Sequence, residues 1–331
     1  MIKKFALVLT CAVLFCTGCT GNTAVSDTAF VMDTFLSQSY YGDKSVAEEN
    51  VQIASRIENE MSKMLEGSDI YAINGQGTYK AGSETLEVLT AALDIAQKTD
   101  GAFNPALNPV IELWGIGERD TDVVPAQEEI DALLPLTDYR DVTVDPDGTV
   151  RLVPGGGLDL GGIAKGYALD KMAENTRNRG VSSALINLGG SIAAVGRKPG
   201  GSRYRIGVRD PLGEDNDYIA TVELNDICTS TSGVYEKYFI KDGVRYHHIF
   251  DPDTGRPAES GLLAVMIVSP SGMLSDAYST ALFVMGAEKG LQFANRNGVD
   301  ALFVTEDKKI MMTDGFSDKY NFRLVADYEV V

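Results

Sequence analysis

The chain has 331 residues, 44% of them hydrophobic, and a formal net charge of −18 from 29 Lys and Arg against 47 Asp and Glu. This length and composition provide for a proper hydrophobic core and exclude a mainly disordered chain. The acidic surface should repel nucleic acid, so no nucleic-acid partner is expected. A polyanionic ligand would need local help, such as a bound metal cation.

The amino terminus has the pattern of a targeting segment. Two lysines precede an apolar run over residues 5–15 that is too short to span a bilayer, and small residues then lead to Cys19. This pattern predicts a bacterial lipoprotein signal peptide over residues 1–18, lipidation of Cys19 and a polar tether over residues 19–28. The protein would then be exported and held by acyl chains on the outer face of the cytoplasmic membrane. An uncleaved helical anchor would give almost the same localisation.

The first half of the chain combines short strands with amphipathic helices. A strand is predicted over residues 30–36, and long helices are predicted from Ser45 and from Ser83, each with apolar residues at helical spacing. Residues 101–117 are apolar, rich in Gly, Pro and Asn, and contain the only Trp. This segment is either a hydrophobic plug or a surface that contacts something flat. Two further elements follow, a short helix over residues 125–134 and a hairpin over residues 142–153.

The second half is rich in strands. A glycine-rich turn leads into a helix from about Ile163, and another helix, capped by Ser275, runs to about Met285. Strands and helices that mix without strict βαβ alternation predict an α+β fold. The other predicted elements are strands over residues 183–188, 192–195, 204–209, 218–224, 234–240, 244–250 and 262–268, a helix over residues 290–297, and strands over residues 301–305, 310–313 and 322–326.

The glycine-rich turn before Ile163 is the first candidate for chemistry. Adjacent glycines let another molecule approach the main chain closely, and a helix start directs unpaired N–H groups outward, which suits an anion such as a pyrophosphate. The alternative is a tight turn that only packs the helix on a sheet.

Asp276 and Thr280 are a candidate metal site. They are four residues apart in a predicted helix, so both oxygens project from one face and could share a cation. Mg²⁺ prefers oxygen and usually takes only a few protein ligands, with phosphates and water completing its shell. The alternative is that the acid and the hydroxyl cap the start of the helix.

The only two histidines, His247 and His248, follow one another at the end of a predicted strand. Strand alternation directs their side chains to opposite faces, so at most one faces a site, where it could take a hydroxyl proton. The alternative is an exposed strand end. Nearby, residues 229–236 predict a hydroxyl-rich turn that either binds phosphate oxygens or is an ordinary polar loop.

Together these segments resemble the ApbE family of FAD:protein FMN transferases, from about Met32 to the carboxyl terminus. The matching motifs are Met32-Asp33-Thr34, the segment from Gly101-Ala102-Phe103-Asn104-Pro105 to Leu113-Trp114-Gly115, Asp159-Leu160-Gly161-Gly162-Ile163-Ala164-Lys165-Gly166, Thr231-Ser232-Gly233, His248-Ile249-Phe250-Asp251-Pro252-Asp253-Thr254-Gly255 and Asp276-Ala277-Tyr278-Ser279-Thr280. The resemblance implies a T-fold-like α+β architecture of mixed and antiparallel sheets with packed helices. It implies a single domain over residues 29–331 whose two lobes flank a cofactor cleft. It also implies that the FMN part of FAD, bound with Mg²⁺, is transferred to a threonine hydroxyl of an acceptor protein, with release of AMP.

The resemblance further implies roles for individual residues. Asp276 and Thr280 would bind Mg²⁺, helped by a main-chain oxygen near Gly162 or Ala164, and His248 would activate the acceptor hydroxyl. The residues that fall where family members contact FAD are Met32, Tyr71, Ala102, Phe103, Asn104, Asp159, Lys165 and Phe250. The chain departs from the family at Asn104, where an Asp is common, and an amide does not accept hydrogen bonds as an ionised acid does.

The residues alone leave two other functions open. One is an Mg²⁺-dependent FAD pyrophosphatase, in which water replaces the threonine hydroxyl. The other is a lipoprotein that binds flavin without catalysis. For the transferase, the expected partners are flavin-accepting subunits of membrane redox complexes, and the membrane itself through the lipid anchor.

Overall fold

A computed structural model of the protein describes residues 24–42, 45–119 and 122–331. The predicted signal peptide and Cys19 lie outside these residues. Within the described ranges, no helix is both long enough and apolar enough to cross a membrane.

The strands are β1 (Val25–Val31), β2 (Thr34–Tyr40), β3 (Thr78–Lys80), β4 (Thr143–Val144), β5 (Thr149–Arg151), β6 (Ser183–Leu188), β7 (Ser191–Gly196), β8 (Tyr204–Arg209), β9 (Tyr218–Leu224), β10 (Ile227–Gly233), β11 (Tyr238–Lys241), β12 (Val244–His247), β13 (Phe250–Asp251), β14 (Arg256–Pro257), β15 (Leu262–Ser269), β16 (Asp300–Thr305), β17 (Lys309–Met312), β18 (Arg323–Leu324) and β19 (Glu329–Val330). The helices are α1 (Ser45–Met61), α2 (Asp69–Gln76), α3 (Ser83–Lys98), α4 (Asn108–Trp114), α5 (Gln127–Leu133), α6 (Ala164–Asn178), α7 (Gly272–Met285), α8 (Ala287–Asn297) and α9 (Phe316–Lys319).

A nine-stranded sheet organises the described part of the molecule, in the order β1-β2-β6-β7-β10-β15-β16-β17-β19. Its neighbouring strands are antiparallel, except for the parallel pair β17 and β19. Seven of the eight residues of β15 are buried, as expected for a strand whose two faces are both covered. Small sheets form from β8, β9 and β18 and from β3, β4 and β5. This mixture of largely antiparallel sheets and packed helices confirms the predicted α+β class.

The hydrophobic core falls into three clusters. The first joins α1, α3 and α6 to β2, β6 and β7. The second joins β15 and β16 to α7, α8 and the sheet of β8 and β9. The third surrounds Trp114, which is 1% exposed, and includes Phe239 and Phe250. Trp114 also donates its indole N–H to the Gly255 carbonyl at 2.8 Å. Residues 101–117 were interpreted either as a hydrophobic plug or as a surface that contacts something flat. For Trp114, the hydrophobic plug is the correct interpretation.

The predicted strand over residues 30–36 is instead a β-hairpin. β1 ends at Val31 and β2 begins at Thr34, so Met32 and Asp33 form a two-residue turn with φ of 54° and 57°. Two positive φ angles define a type I′ turn, and the sequence lacks the Asn-Gly or Asp-Gly pair that usually marks one. Because β1 begins at Val25, residues 25–28 of the predicted tether belong to the sheet.

The hydroxyl-rich turn predicted over residues 229–236 was also wrong, since most of it lies in the central strand β10. The Ser230 hydroxyl bonds that of Ser275 at 2.9 Å, and the Ser232 hydroxyl bonds that of Ser279 at 2.8 Å. These partners on α7 satisfy the hydroxyls of Ser230 and Ser232, which helps a polar run to occupy the middle of a sheet. The strand predicted over residues 234–240 is correspondingly reduced to β11.

The helix α7 begins four residues earlier than predicted, with Ser271 and not Ser275 as its N-cap. The Asp170 carboxylate of α6 accepts the N–H groups of Gly272 at 2.5 Å and Met273 at 3.0 Å, which satisfies the earlier helix start. Asp276 and Thr280 therefore lie inside α7, and the alternative that they cap its start is wrong.

Candidate active site

A cavity of about 560 Å³ lies where the three core clusters meet, and its wall includes Ile57 of the first, Ile249 of the second and Leu107 of the third. The predicted site residues that line it are Met32, Ala102, Phe103, Asn104, Asp159, Gly162, Ala164, Lys165, His248, Phe250, Asp276 and Thr280. Tyr71 does not line it. The side chain of Tyr71 is 44% exposed, because α2 buries Ile70 and Ile73 instead.

The carboxylate of Asp276 is fixed at the tight contact between α6 and α7. Its Oδ2 accepts the Gly166 N–H at 2.9 Å and lies 4.0 Å from the Lys165 ammonium nitrogen. A Cβ at Gly166 would lie 2.2 Å from the Gly272 carbonyl oxygen and 2.7 Å from the Asp276 Cβ. Only glycine therefore allows the two helices to approach closely enough for this hydrogen bond.

Thr280 lies beside the glycine-rich turn. Its hydroxyl oxygen is 3.2 Å from that of Ser232, and a Cβ at Gly162 would lie 3.6 Å from it. The Gly166 N–H, which would bond the Gly162 carbonyl in a regular helix, is diverted to Asp276, and no backbone hydrogen bond to that carbonyl occurs in the described part of the chain. The Asp276 carboxylate, the Thr280 hydroxyl and a Gly162 carbonyl without a backbone hydrogen bond thus lie in the same part of the cavity.

These oxygen donors fit a hard cation such as Mg²⁺. Among the residues that the structure describes, no group of three or more His, Cys, Asp or Glu side chains could hold a metal ion. A cation at Asp276 would therefore need main-chain and ligand oxygens to complete its shell, which is how Mg²⁺ is usually held next to phosphates.

A chain of polar contacts connects this corner to the opposite wall. Lys165 donates to the Gly161 carbonyl at 2.9 Å, and the Gly161 N–H donates to Asp159 Oδ1 at 2.6 Å. The Lys63 ammonium lies 3.0 Å from Asp159 Oδ2 and 2.7 Å from Glu118 Oε1. Burial opposes both charges, but the Lys63 charge holds the pKa of Asp159 below its usual range, and the two carboxylates raise the pKa of Lys63.

Sequence reasoning missed Lys63 and Glu118, although both line the cavity. Each lies in a loop, Lys63 after α1 and Glu118 after α4. Neither belongs to a motif or a periodic pattern, so the sequence carries no signal that could have selected them from the other charged loop residues.

Of the two histidines, His248 lines the cavity, whereas His247 is buried against Phe283 and bonds the Ala258 carbonyl. The Nδ1 of His248 is 3.2 Å from the Lys237 carbonyl oxygen. Because a carbonyl can only accept, Nδ1 carries the proton in this bond and Nε2 is left as an acceptor. Burial, and then the neighbouring His247, lowers the pKa of His248 to about 4, so the ring is neutral at pH 7.

Asn104 lines the cavity, but the protein itself uses its amide. The side-chain N–H donates to the Thr137 carbonyl at 2.9 Å, and the side-chain oxygen accepts the Ala106 N–H at 2.9 Å. Its side chain thus holds the loop in place, and only its remaining hydrogen-bonding capacity is available to a ligand.

Comparison with known proteins gives a consistent result. The model of the ApbE family matches residues 32–303. The FAD:protein FMN transferase of Treponema pallidum is 36% identical, over 94% of this chain and 94% of the relative, and that of Vibrio cholerae is 30% identical, over 83% and 82%. The crystal structure of the ApbE protein from Thermotoga maritima superposes with a TM-score of 0.84 at 34% identity, covering 89% of this chain and 98% of the other. The flavinyl transferase ApbE of Pseudomonas stutzeri gives a TM-score of 0.81 at 30% identity, with 91% and 98% covered.

Proposed function

Because this chain belongs to the ApbE family and its matched relatives are FAD:protein FMN transferases, we propose that it is an Mg²⁺-dependent enzyme that transfers FMN from FAD to a threonine hydroxyl of an acceptor protein. The transferase activity follows from the family. Mg²⁺, the threonine acceptor and the residue roles below are the proposal.

The observation that carries the proposal is that a single cavity collects three kinds of group. It contains a pair of oxygen donors suited to a cation, Asp276 and Thr280, a positively charged side chain, Lys165, and a neutral imidazole, His248. Phosphoryl transfer needs positioning and neutralisation of charge more than covalent work by the protein, and these groups supply both.

Mg²⁺ would be held by Asp276, Thr280 and the Gly162 carbonyl. We favour Gly162 over Ala164 because the Gly166 N–H bonds Asp276 and leaves the Gly162 carbonyl without its helical partner. When bound, the ion would neutralise charge on the diphosphate of FAD. Lys165 lies 4.0 Å from Asp276 and would place a further positive charge beside the same phosphates.

His248 would activate the acceptor. Its Nε2 accepts the proton of the threonine hydroxyl while the hydroxyl oxygen attacks the phosphorus of the FMN phosphate. A new P–O bond to threonine forms, the P–O bond to the AMP phosphate breaks, and AMP leaves with the bridging oxygen. The Lys237 carbonyl holds Nδ1–H and so keeps the ring in the tautomer that this step requires.

Incubation with FAD, Mg²⁺ and a flavin-acceptor domain tests the proposal. The acceptor should show the fluorescence of covalently bound flavin after denaturation, with AMP released in equal amount.

Asp276→Asn should lower the rate of transfer about 100-fold or more, because the carboxylate charge at the phosphates is lost. Asp94→Asn, an exposed acid on α3, is the control and should leave the rate unchanged. Free FMN and AMP with no labelled acceptor would instead indicate a pyrophosphatase, and FAD binding without AMP release would indicate a flavin-binding protein.

We also propose that the protein is an exported lipoprotein anchored through Cys19, as the pattern of residues 1–19 predicts. Its acceptors would then be flavin-carrying subunits of membrane redox complexes on the same side of the membrane. Cys19→Ser should move the protein from the membrane fraction to the soluble fraction, and an unchanged distribution would contradict lipid anchoring.

A further inference from the structure

Lys63 is a largely buried charged group of the cavity wall to which the proposed function gives no role. Its side chain is 9% exposed, and its ammonium lies between Asp159 and Glu118, whose side chains are 18% and 21% exposed. The loop that carries Lys63 is held by its own hydrogen bonds. The N–H groups of Met64 and Leu65 donate to the Ser62 hydroxyl, and the Ser68 hydroxyl donates to the Ser62 carbonyl.

The charges explain why a cation is needed there. Two carboxylates in the wall of a cavity for a diphosphate-bearing ligand would repel that ligand and each other, and Lys63 neutralises one of them. The remaining carboxylate charge can accept hydrogen bonds from N–H groups, which FAD carries on a ring nitrogen of the isoalloxazine and on the exocyclic amino group of the adenine.

The contacts also connect Lys63 to the glycine-rich turn before α6. Asp159 joins Lys63 through Oδ2 to the Gly161 N–H through Oδ1, and the Gly161 carbonyl accepts from Lys165. Asp159 is thus held from two directions, and its orientation depends on the ammonium as well as on the turn.

We propose that Lys63 is a positioning residue for FAD, which holds the Asp159 carboxylate in place and offsets the negative charge of the Asp159–Glu118 wall. This inference rests on the proposed use of FAD as substrate. Lys63 touches neither the reacting phosphorus nor the acceptor hydroxyl in this account, so it should govern FAD affinity more than the rate of transfer.

Titration of the full-length protein with FAD and Mg²⁺, without acceptor, tests the proposal. Lys63→Met should raise the dissociation constant for FAD about tenfold or more, because it leaves a buried carboxylate without its partner. Lys63→Arg keeps the charge and should stay within about threefold of the parent. Lys98→Met removes an exposed lysine on α3 and is the matched control, with no change in FAD affinity expected.

With acceptor present, Lys63→Met should raise KM for FAD while kcat at saturating FAD changes less than about threefold.

A comparison in a background without the two carboxylates separates this role from a general effect on folding. If Lys63 acts only through Asp159 and Glu118, then adding Lys63→Met to Asp159→Asn/Glu118→Gln should not weaken FAD binding further. In that background Lys63→Met leaves no unpaired carboxylate, so the comparison holds even if Lys63→Met alone fails to fold. A further loss of FAD affinity on adding Lys63→Met in that background, or parental FAD affinity in Lys63→Met alone, would overturn the inference. Because binding is measured without acceptor, a parent protein that binds FAD but labels no acceptor would contradict the proposed function and leave the test of Lys63 intact.

Discussion

At the scale of single residues, the sequence identified candidate site residues where the spacing between side chains determines which of them share a face. The interval between Asp276 and Thr280 indicated that they could share a cation on one helix face, and the alternation of His247 and His248 indicated that at most one of them faces a site. The structure brings Asp276, Thr280 and His248 to one cavity and directs His247 into the core.

The pH dependence of transfer tests the role of His248. As a base, the imidazole acts only when unprotonated, and burial together with His247, Lys165 and Lys237 lowers its pKa to about 4. The active form is therefore present above that pKa and is lost as the pH falls through it. We expect kcat/KM, which reports the free enzyme, to stay constant from about pH 8 to about pH 6. An acid limb centred near the ordinary histidine pKa of about 6.5 would contradict this role.

Residues whose role depends on contacts between distant loops could not be found in the sequence. Lys63 and Glu118 come from two separate loops, and only the fold brings them to Asp159, the one member of the three that the family motif predicted. Tyr71 shows the converse, since family resemblance placed it at the ligand, whereas the helix that carries it directs the side chain to solvent.

At the scale of elements, the contact between α6 and α7 determines the site. The predicted start of α6 was correct within one residue, because its apolar spacing is clear. The start of α7 was wrong because its first N–H groups are satisfied by Asp170, a residue about a hundred positions earlier. For the same reason β10 was mistaken for a turn, since the hydroxyls of Ser230 and Ser232 find their partners on α7, which the local sequence does not reveal.

Gly166→Ala tests the helix contact. The added methyl would overlap the Gly272 carbonyl and Asp276, so α6 and α7 must separate and the Gly166 N–H can no longer reach the carboxylate. We expect a loss of about 1–3 kcal/mol in the free energy of unfolding, measured by urea denaturation, together with weaker Mg²⁺-dependent activity. Gly75→Ala is the control, because this α2 glycine has open space around its Cβ and alanine is the better helix former. Equal stability of Gly166→Ala and the parent would show that the helices do not need this close approach.

At the scale of the whole molecule, the large sheet and three core clusters leave one cavity at their junction. Composition predicted a folded protein, and the mixture of predicted strands and helices predicted the α+β class. The net charge of −18 predicted that the surface repels nucleic acid and that a polyanionic ligand needs local positive charge. Three lysines line the cavity, Lys63, Lys165 and Lys237, but six carboxylates line it too, so a bound cation would have to supply part of that charge. The junction itself could not be read from the sequence, because it depends on how three clusters pack and not on any one segment.

The central claim is that Asp276, Thr280 and the Gly162 carbonyl hold a divalent cation against the diphosphate of FAD. Crystals of the protein soaked with FAD and Mn²⁺, a stand-in for Mg²⁺ with an anomalous signal, test it most directly. We predict an anomalous peak about 2.0–2.4 Å from the Asp276 carboxylate and the Thr280 hydroxyl, in contact with a diphosphate oxygen. A diphosphate bound elsewhere in the cavity, or bound FAD with no peak at Asp276, would contradict the account.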